Sequence, residues 1–364
     1  MRNLNIGNLI AKVPIIQGGM GVGVSLSGLA SAVANEGGIG VISAAGLGLC
    51  YKNLSDDYLQ ASILGLKEEI RLAKQKTDGV IGVNIMVALS NYSDMVETSI
   101  SEGVDIIFSG AGLPLDLPKY LKEGSQTKLV PIVSSSRAIK LICEKWQTIY
   151  GYLPDAVVVE GPKAGGHLGY KINQLFSEES SLETVLPNVV KEVKEFETKY
   201  NKSIPVIAAG GIYSGEDVCR MLELGASGVQ MGTRFVTTNE CDASLEFKTI
   251  YLNSHEEDLV IIQSPVGMPG RAINNEFLDK VANGEKHPKS CPFHCIKTCN
   301  VEDSPYCIML ALYNAFKGNL DKGYAFAGVN AFKTEKIITV KETFSKIKEE
   351  FENYLVQKLR VSII

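Results

Sequence analysis

Eight short apolar runs, spaced by segments long enough to be helices, follow one another from position 13 to position 235, and no other feature constrains the fold as strongly. The runs cover residues 13–18, 38–44, 80–87, 104–110, 129–134, 156–161, 204–210 and 228–235. Most are apolar throughout rather than alternating, which is the pattern of strands covered on both faces. Helix-length segments lie between them at 27–35, 55–76, 93–102, 136–149 and 182–200. Strict alternation up to about residue 235 predicts an α/β chain folded as a (β/α)8 barrel, the TIM-barrel architecture. A doubly wound open sheet is the competing arrangement. Its Gly-x-Gly-x-x-Gly fingerprint is not met, because Gly19-Met-Gly-Val-Gly23 follows the first run but lacks the last glycine at the required spacing. That segment reads instead as a turn facing a cofactor.

Residues 203–235 form the clearest βαβ unit. Pro205 to Ala209 is continuously apolar, Ser214 with Asp217 three residues later makes a capping-box start, and the helix stops at Gly225. Both strands of the unit end in residues that expose backbone, Gly210-Gly211 and Gly232-Thr233. Successive amide N–H groups at such ends can hold a phosphate, and the loops after the seventh and eighth strands are the usual phosphate site of these barrels.

The sixth run opens into Glu160-Gly-Pro-Lys-Ala-Gly-Gly-His167-Leu-Gly169, a single histidine among four glycines. Glycine lets main chain approach a flat ligand closely, and imidazole is the side chain whose ordinary pKa lies nearest neutrality. The combination suits proton handling beside a cofactor; a structural histidine in a glycine-rich loop is the bland alternative.

Taken in order, Pro14-Ile-Ile-Gln-Gly-Gly-Met20, Gly82-Val-Asn84, Gly110-Ala-Gly112, Ala164-Gly-Gly-His167-Leu-Gly169, Ala208-Ala-Gly-Gly-Ile212 and Gln230-Met-Gly-Thr-Arg-Phe235 resemble the nitronate monooxygenase (2-nitropropane dioxygenase) family. The same motifs occur in the related FMN-dependent enoyl-acyl-carrier-protein reductases. The resemblance implies FMN, with cofactor contacts at Gln17, Gly18, Gly19, Met20, Asn84, Gly166, Gly169, Gly210, Gly211, Gln230, Met231, Gly232 and Thr233. Asn84 would bond the flavin through its amide, and the FMN phosphate would lie between Gly211 and the 230–233 turn. His167 matches the family's catalytic histidine, as base or anion stabiliser. The implied reaction is oxidative denitrification of alkyl nitronates with O2; the alternative is NAD(P)H-dependent reduction of an enoyl thioester. A flavin binder with a vestigial loop is disfavoured by the intact His167 motif. A flavin-free aldolase is disfavoured because no lysine stands at a strand end.

Two features depart from the pattern. Lys163 stands where many relatives carry an acidic residue, and its head group is expected in solvent. After the barrel, residues 264–328 contain Ser-Pro-Val-Gly-Met-Pro-Gly-Arg-Ala-Ile and then Cys291, Cys295, Cys299 and Cys307. If that stretch is helical, its first three cysteines share one face, and with His294 they could bind zinc or an iron–sulfur cluster. No Cys-x-x-Cys pair occurs, so reduced thiols packing a small lid, with no metal, is the preferred reading. The division expected is a barrel over 1–240 and a helical, cysteine-rich lid over 241–364, with a charged helix from Lys341 onward.

Composition narrows the partners. The formal charge is −5 and no basic stripe occurs, which argues against nucleic acid. Asn3, Asn5 and Asn8 stand where a signal peptide would be apolar, and Asn35-Glu36-Gly-Gly interrupts the apolar region 26–50, so neither secretion nor a membrane span is expected. Eight cysteines without secretion favour a reducing cytoplasm. The expected partner is a small-molecule substrate, with a homodimer as the candidate assembly.

Overall fold

The computed structural model describes residues 1–288 and 290–361. Eight parallel strands form one sheet: β1 (Ile15–Gln17), β2 (Gly40–Ser43), β3 (Ile81–Met86), β4 (Ile106–Gly110), β5 (Lys128–Val133), β6 (Val157–Glu160), β7 (Val206–Ala209) and β8 (Gly228–Met231). Their order is β1-β8-β7-β6-β5-β4-β3-β2. Closure comes between β1 and the approach to β2, where Gln17 N–H donates to the Ile39 carbonyl at 2.9 Å and Ile39 N–H to the Ile15 carbonyl at 3.0 Å. The expected α/β barrel is therefore present. Most strand ends shift by one or two residues, and the largest difference is at the run 228–235, which is strand only to Met231 because Thr233–Val236 turns helical just past the strand end.

The inside of the barrel is filled by Ile16, Val41, Phe108, Val130, Val158 and Ile207, all buried. Its lower end is plugged by an antiparallel hairpin, Leu4–Ile6 with Leu9–Ala11, that turns at Gly7 with φ 58°. Leu4, Ile6 and Ala11 join the interior cluster. Each large side chain fully buried there contributes about 1.5–3 kcal/mol relative to exposure.

Outside the sheet lie α1 (Ser27–Asn35), α2 (Tyr58–Lys76), α3 (Tyr92–Ser101), α4 (Ser136–Tyr150), α5 (Leu182–Tyr200) and α6 (Gly215–Glu223). Capping sets where several begin: Asp57 accepts from Gln60 N–H, Ser135 from Ala138 N–H and Ser181 from Thr184 N–H. Ser214 and Asp217 form the reciprocal capping box of α6. The β4–β5 crossover carries only a 3-10 turn, Leu117–Tyr120.

The final described helix, α7 (Val340–Val361), packs against α6 and α1 and so occupies the ring position that follows β8. Gly215 permits this contact, since a Cβ there would lie 2.1 Å from the Ile347 carbonyl oxygen. The chain between Thr233–Val236 and α7 runs over the barrel mouth. It contains strands Leu259–Gln263 and Pro269–Ile273, which make a three-stranded antiparallel sheet with Gly166–His167, and helices Leu245–Leu252, Glu276–Ala282 and Ile308–Phe316. Residues 291–299 are turns and bends rather than a helix, so the cysteines there do not share a helical face. Among the described residues, no three His, Cys, Asp or Glu side chains converge in a group that could hold a metal.

Candidate active site

The carboxyl ends of the strands surround a cavity of about 240 Å³. Its floor is mostly glycine and its roof comes from the long β8–α7 connection, through Phe247, Tyr251, Leu312 and Phe326. Of the residues singled out in the sequence, Gly18, Gly19, Met20, Asn84, Gly166, His167, Gly210, Gly211, Gln230, Met231, Gly232 and Thr233 all line this cavity. Gln17 and Gly169 do not. Gln17 is fully buried in the barrel wall, where its side chain donates to the Val41 carbonyl at 3.2 Å and accepts from Val41 N–H at 3.1 Å. Gly169 offers its carbonyl to Ser134 Oγ at 2.8 Å. Lys163 is exposed.

The glycines are cradle positions. A Cβ on Gly19 would lie 2.3 Å from Asn84 Cβ, so the β1 turn and the β3 side chain touch only because Gly19 has none. Gly210 and Gly211 have φ of 97° and 83°, backbone that other residues rarely adopt. The short Thr233–Val236 helix begins beside them, and the first N–H groups of a helix have no partner within it. Asn330 Nδ2 donates to the Gly211 carbonyl and Gly328 N–H to Thr233 Oγ1, which fastens these turns to the roof. A flat ring over the Gly18–Gly19 turn and a phosphate against the Gly211 and Thr233 turns both fit this lining.

His167 is fixed by residues far away in sequence. It pairs with Gly270, and Leu168 N–H donates to the Pro269 carbonyl at 2.8 Å. The Arg271 guanidinium, 4% exposed, donates to the carbonyls of Pro162 at 2.6 Å and Ala164 at 2.7 Å, so the glycine loop and the roof are held as one unit. His167 Nε2 lies 2.7 Å from Ser264 Oγ, and Phe326 meets the ring edge-on with centroids 5.0 Å apart. Burial lowers the imidazole pKa to about 4, so the ring is neutral at pH 7. With one nitrogen engaged by Ser264, the other remains for a ligand.

Glu160, at the end of β6, shares the cavity wall, and burial raises its carboxyl to about 7. Sequence reasoning noted Glu160 only as the start of the loop. It also passed over Ser264 and Arg271, although both stand in the Ser-Pro-Val-Gly-Met-Pro-Gly-Arg segment that departs from the pattern. Only the strand pairing with Gly166–His167 shows why they matter.

A model of the nitronate monooxygenase family matches residues 3–350. The chain belongs to this family. It is accordingly an enzyme, an oxidoreductase. It is 29% identical over 310 residues to a probable nitronate monooxygenase of Staphylococcus saprophyticus, covering 76% of this chain and 79% of that one. It is 32% identical over 273 residues to (3aS,4S,5R,7aS)-5-hydroxy-7a-methyl-1-oxo-octahydro-1H-indene-4-carboxyl-CoA dehydrogenase of Mycobacterium tuberculosis, covering 75% of this chain but spanning only 66% of that relative. Among solved structures, FabK from Thermotoga maritima superposes with a TM-score of 0.72 at 29% identity, covering 96% of each chain. A nitroalkane oxidase from Streptomyces ansochromogenes shares the fold, with a TM-score of 0.72 at 19% identity and coverage of 95% and 97%. No described helix is long and apolar enough to cross a membrane.

Proposed function

We propose that the protein is an FMN-dependent nitronate monooxygenase that oxidises small alkyl nitronates with O2. The observation that carries this reading is the neutral, half-buried His167, held by Ser264 at the edge of a glycine-floored cavity. FMN, when bound, would supply the two-electron chemistry between substrate carbon and oxygen. Gly18, Gly19 and Asn84 would meet its ring, and the turns at Gly211 and Gly232-Thr233 its phosphate. A neutral imidazole can accept the proton next to a nitro group; with a preformed nitronate it has only to donate a hydrogen bond to the anion. Ser264 orients the ring, and Phe326 packs edge-on against it.

A second reading, NAD(P)H-dependent reduction of an enoyl thioester, is favoured by the FabK likeness over the whole chain and by the likeness to a carboxyl-CoA dehydrogenase. Anaerobic reduction of the purified yellow protein separates the two. Bleaching by an alkyl nitronate but by neither NADH nor NADPH is the expected result. Bleaching by a nicotinamide alone would replace the proposal with the reductase, and denaturation that releases no FMN would remove both.

A further inference from the structure

The motif Gln230 to Phe235 ends in an arginine that the central cavity does not use. Arg234 lines a second cavity, also about 240 Å³, between the β7 and β8 loops and α7. Its guanidinium stacks on Tyr213 with Cζ 4.4 Å from the ring centroid, which fixes the plane of the fork. Its hydrogen-bonding capacity is largely unspent. Nε is buried without a partner among the described residues, and the Nη2 contact to Glu350 is long, at 3.5 Å. Glu350 is itself held elsewhere, accepting from Gly215 N–H at 2.7 Å through its other oxygen. An arginine fixed in orientation, with one long ion pair and a buried Nε left unsatisfied, is costly unless something completes it.

The rest of the lining has the matching chemistry. Lys333, Lys336 and Lys346 add three ammonium groups, so four cations face only Glu335 and Glu350 in a chain whose formal net charge is −5. Hydroxyls complete the wall, including the buried pair Tyr213 and Thr334, whose oxygens lie 3.0 Å apart. A planar fork, mobile ammonium groups and neutral hydroxyls suit a tetrahedral, multiply charged oxyanion better than a single carboxylate.

We infer that this cavity is a second phosphate site, separate from the turns that would hold the FMN phosphate and independent of which reaction the enzyme performs. The anion is either free phosphate or the phosphate of a larger ligand such as a thioester cofactor. Tyr213 lines both cavities, so a ligand here bears on the residue that walls the first.

The test uses FMN-saturated holoprotein, in which the first phosphate position is taken. Calorimetric titration with inorganic phosphate, at constant ionic strength in chloride, is expected to show one further saturable site per chain. Lys333→Glu combined with Lys346→Gln should weaken it about tenfold or more, and Arg234→Lys, which keeps the charge but loses the fork, by about tenfold. Flavin absorbance should be unchanged in the lysine variant, which keeps the test decisive even if Arg234→Lys disturbs the neighbouring turn. Coenzyme A binding more tightly than phosphate, and competing with it, would assign the anion to a larger ligand. Binding of phosphate alone would assign a free anion. No saturable heat with either probe, or affinity unaltered in the lysine variant, would overturn the inference.

Discussion

The two ends of the barrel are built from the same strands and treated in opposite ways. At the lower end, Phe108, Val158 and Ile207 meet the Leu4–Ile6 hairpin in a dry, filled interior. At the upper end the same strands finish in Gly110, Glu160, Ala209-Gly210 and Gly232, and the side chains give out where a cavity begins. The filled end stabilises and the open end leaves backbone amides and two ionisable groups facing a ligand. The difference teaches that position along a strand, not the strand itself, separates packing from chemistry.

The sharpest way to break that division is to injure the filled end alone. Phe108→Ala should lower stability by about 3–5 kcal/mol in urea denaturation while the folded fraction keeps its FMN affinity. Equal loss of cofactor affinity would show that the two ends are not separable. At the open end the reverse is expected. His167→Ala should keep fold and FMN but lose about a hundredfold or more in kcat/KM on a neutral nitroalkane, and less on the preformed nitronate. Steady-state kinetics on both forms decides whether a proton is abstracted. Ser264→Ala should cost about tenfold by loosening the imidazole, with its low-pH limb displaced and Ser264→Thr restoring both.

The smallest effect is a tilt in pH dependence. Burial shifts both cavity groups toward their neutral forms, and their linkages run in opposite directions. Glu160 has its pKa raised from 4.5 to about 7, so its contribution to stability is complete below 4.5 and is lost as pH rises through 7. His167 has its pKa lowered from 6.5 to about 4, so its contribution is complete above 6.5 and is lost as pH falls through 4. Between pH 4.5 and 6.5 the two slopes oppose. Denaturation midpoints of Glu160→Gln should therefore rise more steeply with pH over that window than those of the wild type. Parallel profiles would place Glu160 outside the dry region.

What the sequence disclosed follows from the range of the forces involved. The strands were legible because Val, Ile and Ala in unbroken runs have one stable fate, burial on both faces, and α6 because Ser214 and Asp217 satisfy each other locally. The cradle glycines were legible for the same reason, since Gly210 and Gly211 announce backbone that other residues avoid. The partners of His167 were not: Ser264 reaches it only through antiparallel pairing across a long connection, and nothing near either residue signals the match. The cysteine spacing suggested a helical face, but Pro292 and the turns around it break the segment. The N-terminal hairpin was too short and too polar at Asn5 and Asn8 to register as strand.

The placement of α7 has a further consequence for how the molecule is made. The helix that closes the ring is also the last described element, so everything between β8 and α7 is anchored at both ends like a handle rather than hung like a flap. Phe344 and Phe351 of α7 are buried against the ring, so the roof over His167 is tethered at that end as well as at β8 and has no free end from which to peel away. During synthesis the ring stays one helix short until residues 340–361 emerge. Until then α1 and α6 expose the faces that α7 covers, which makes that interval the moment of greatest exposure to aggregation or to a chaperone.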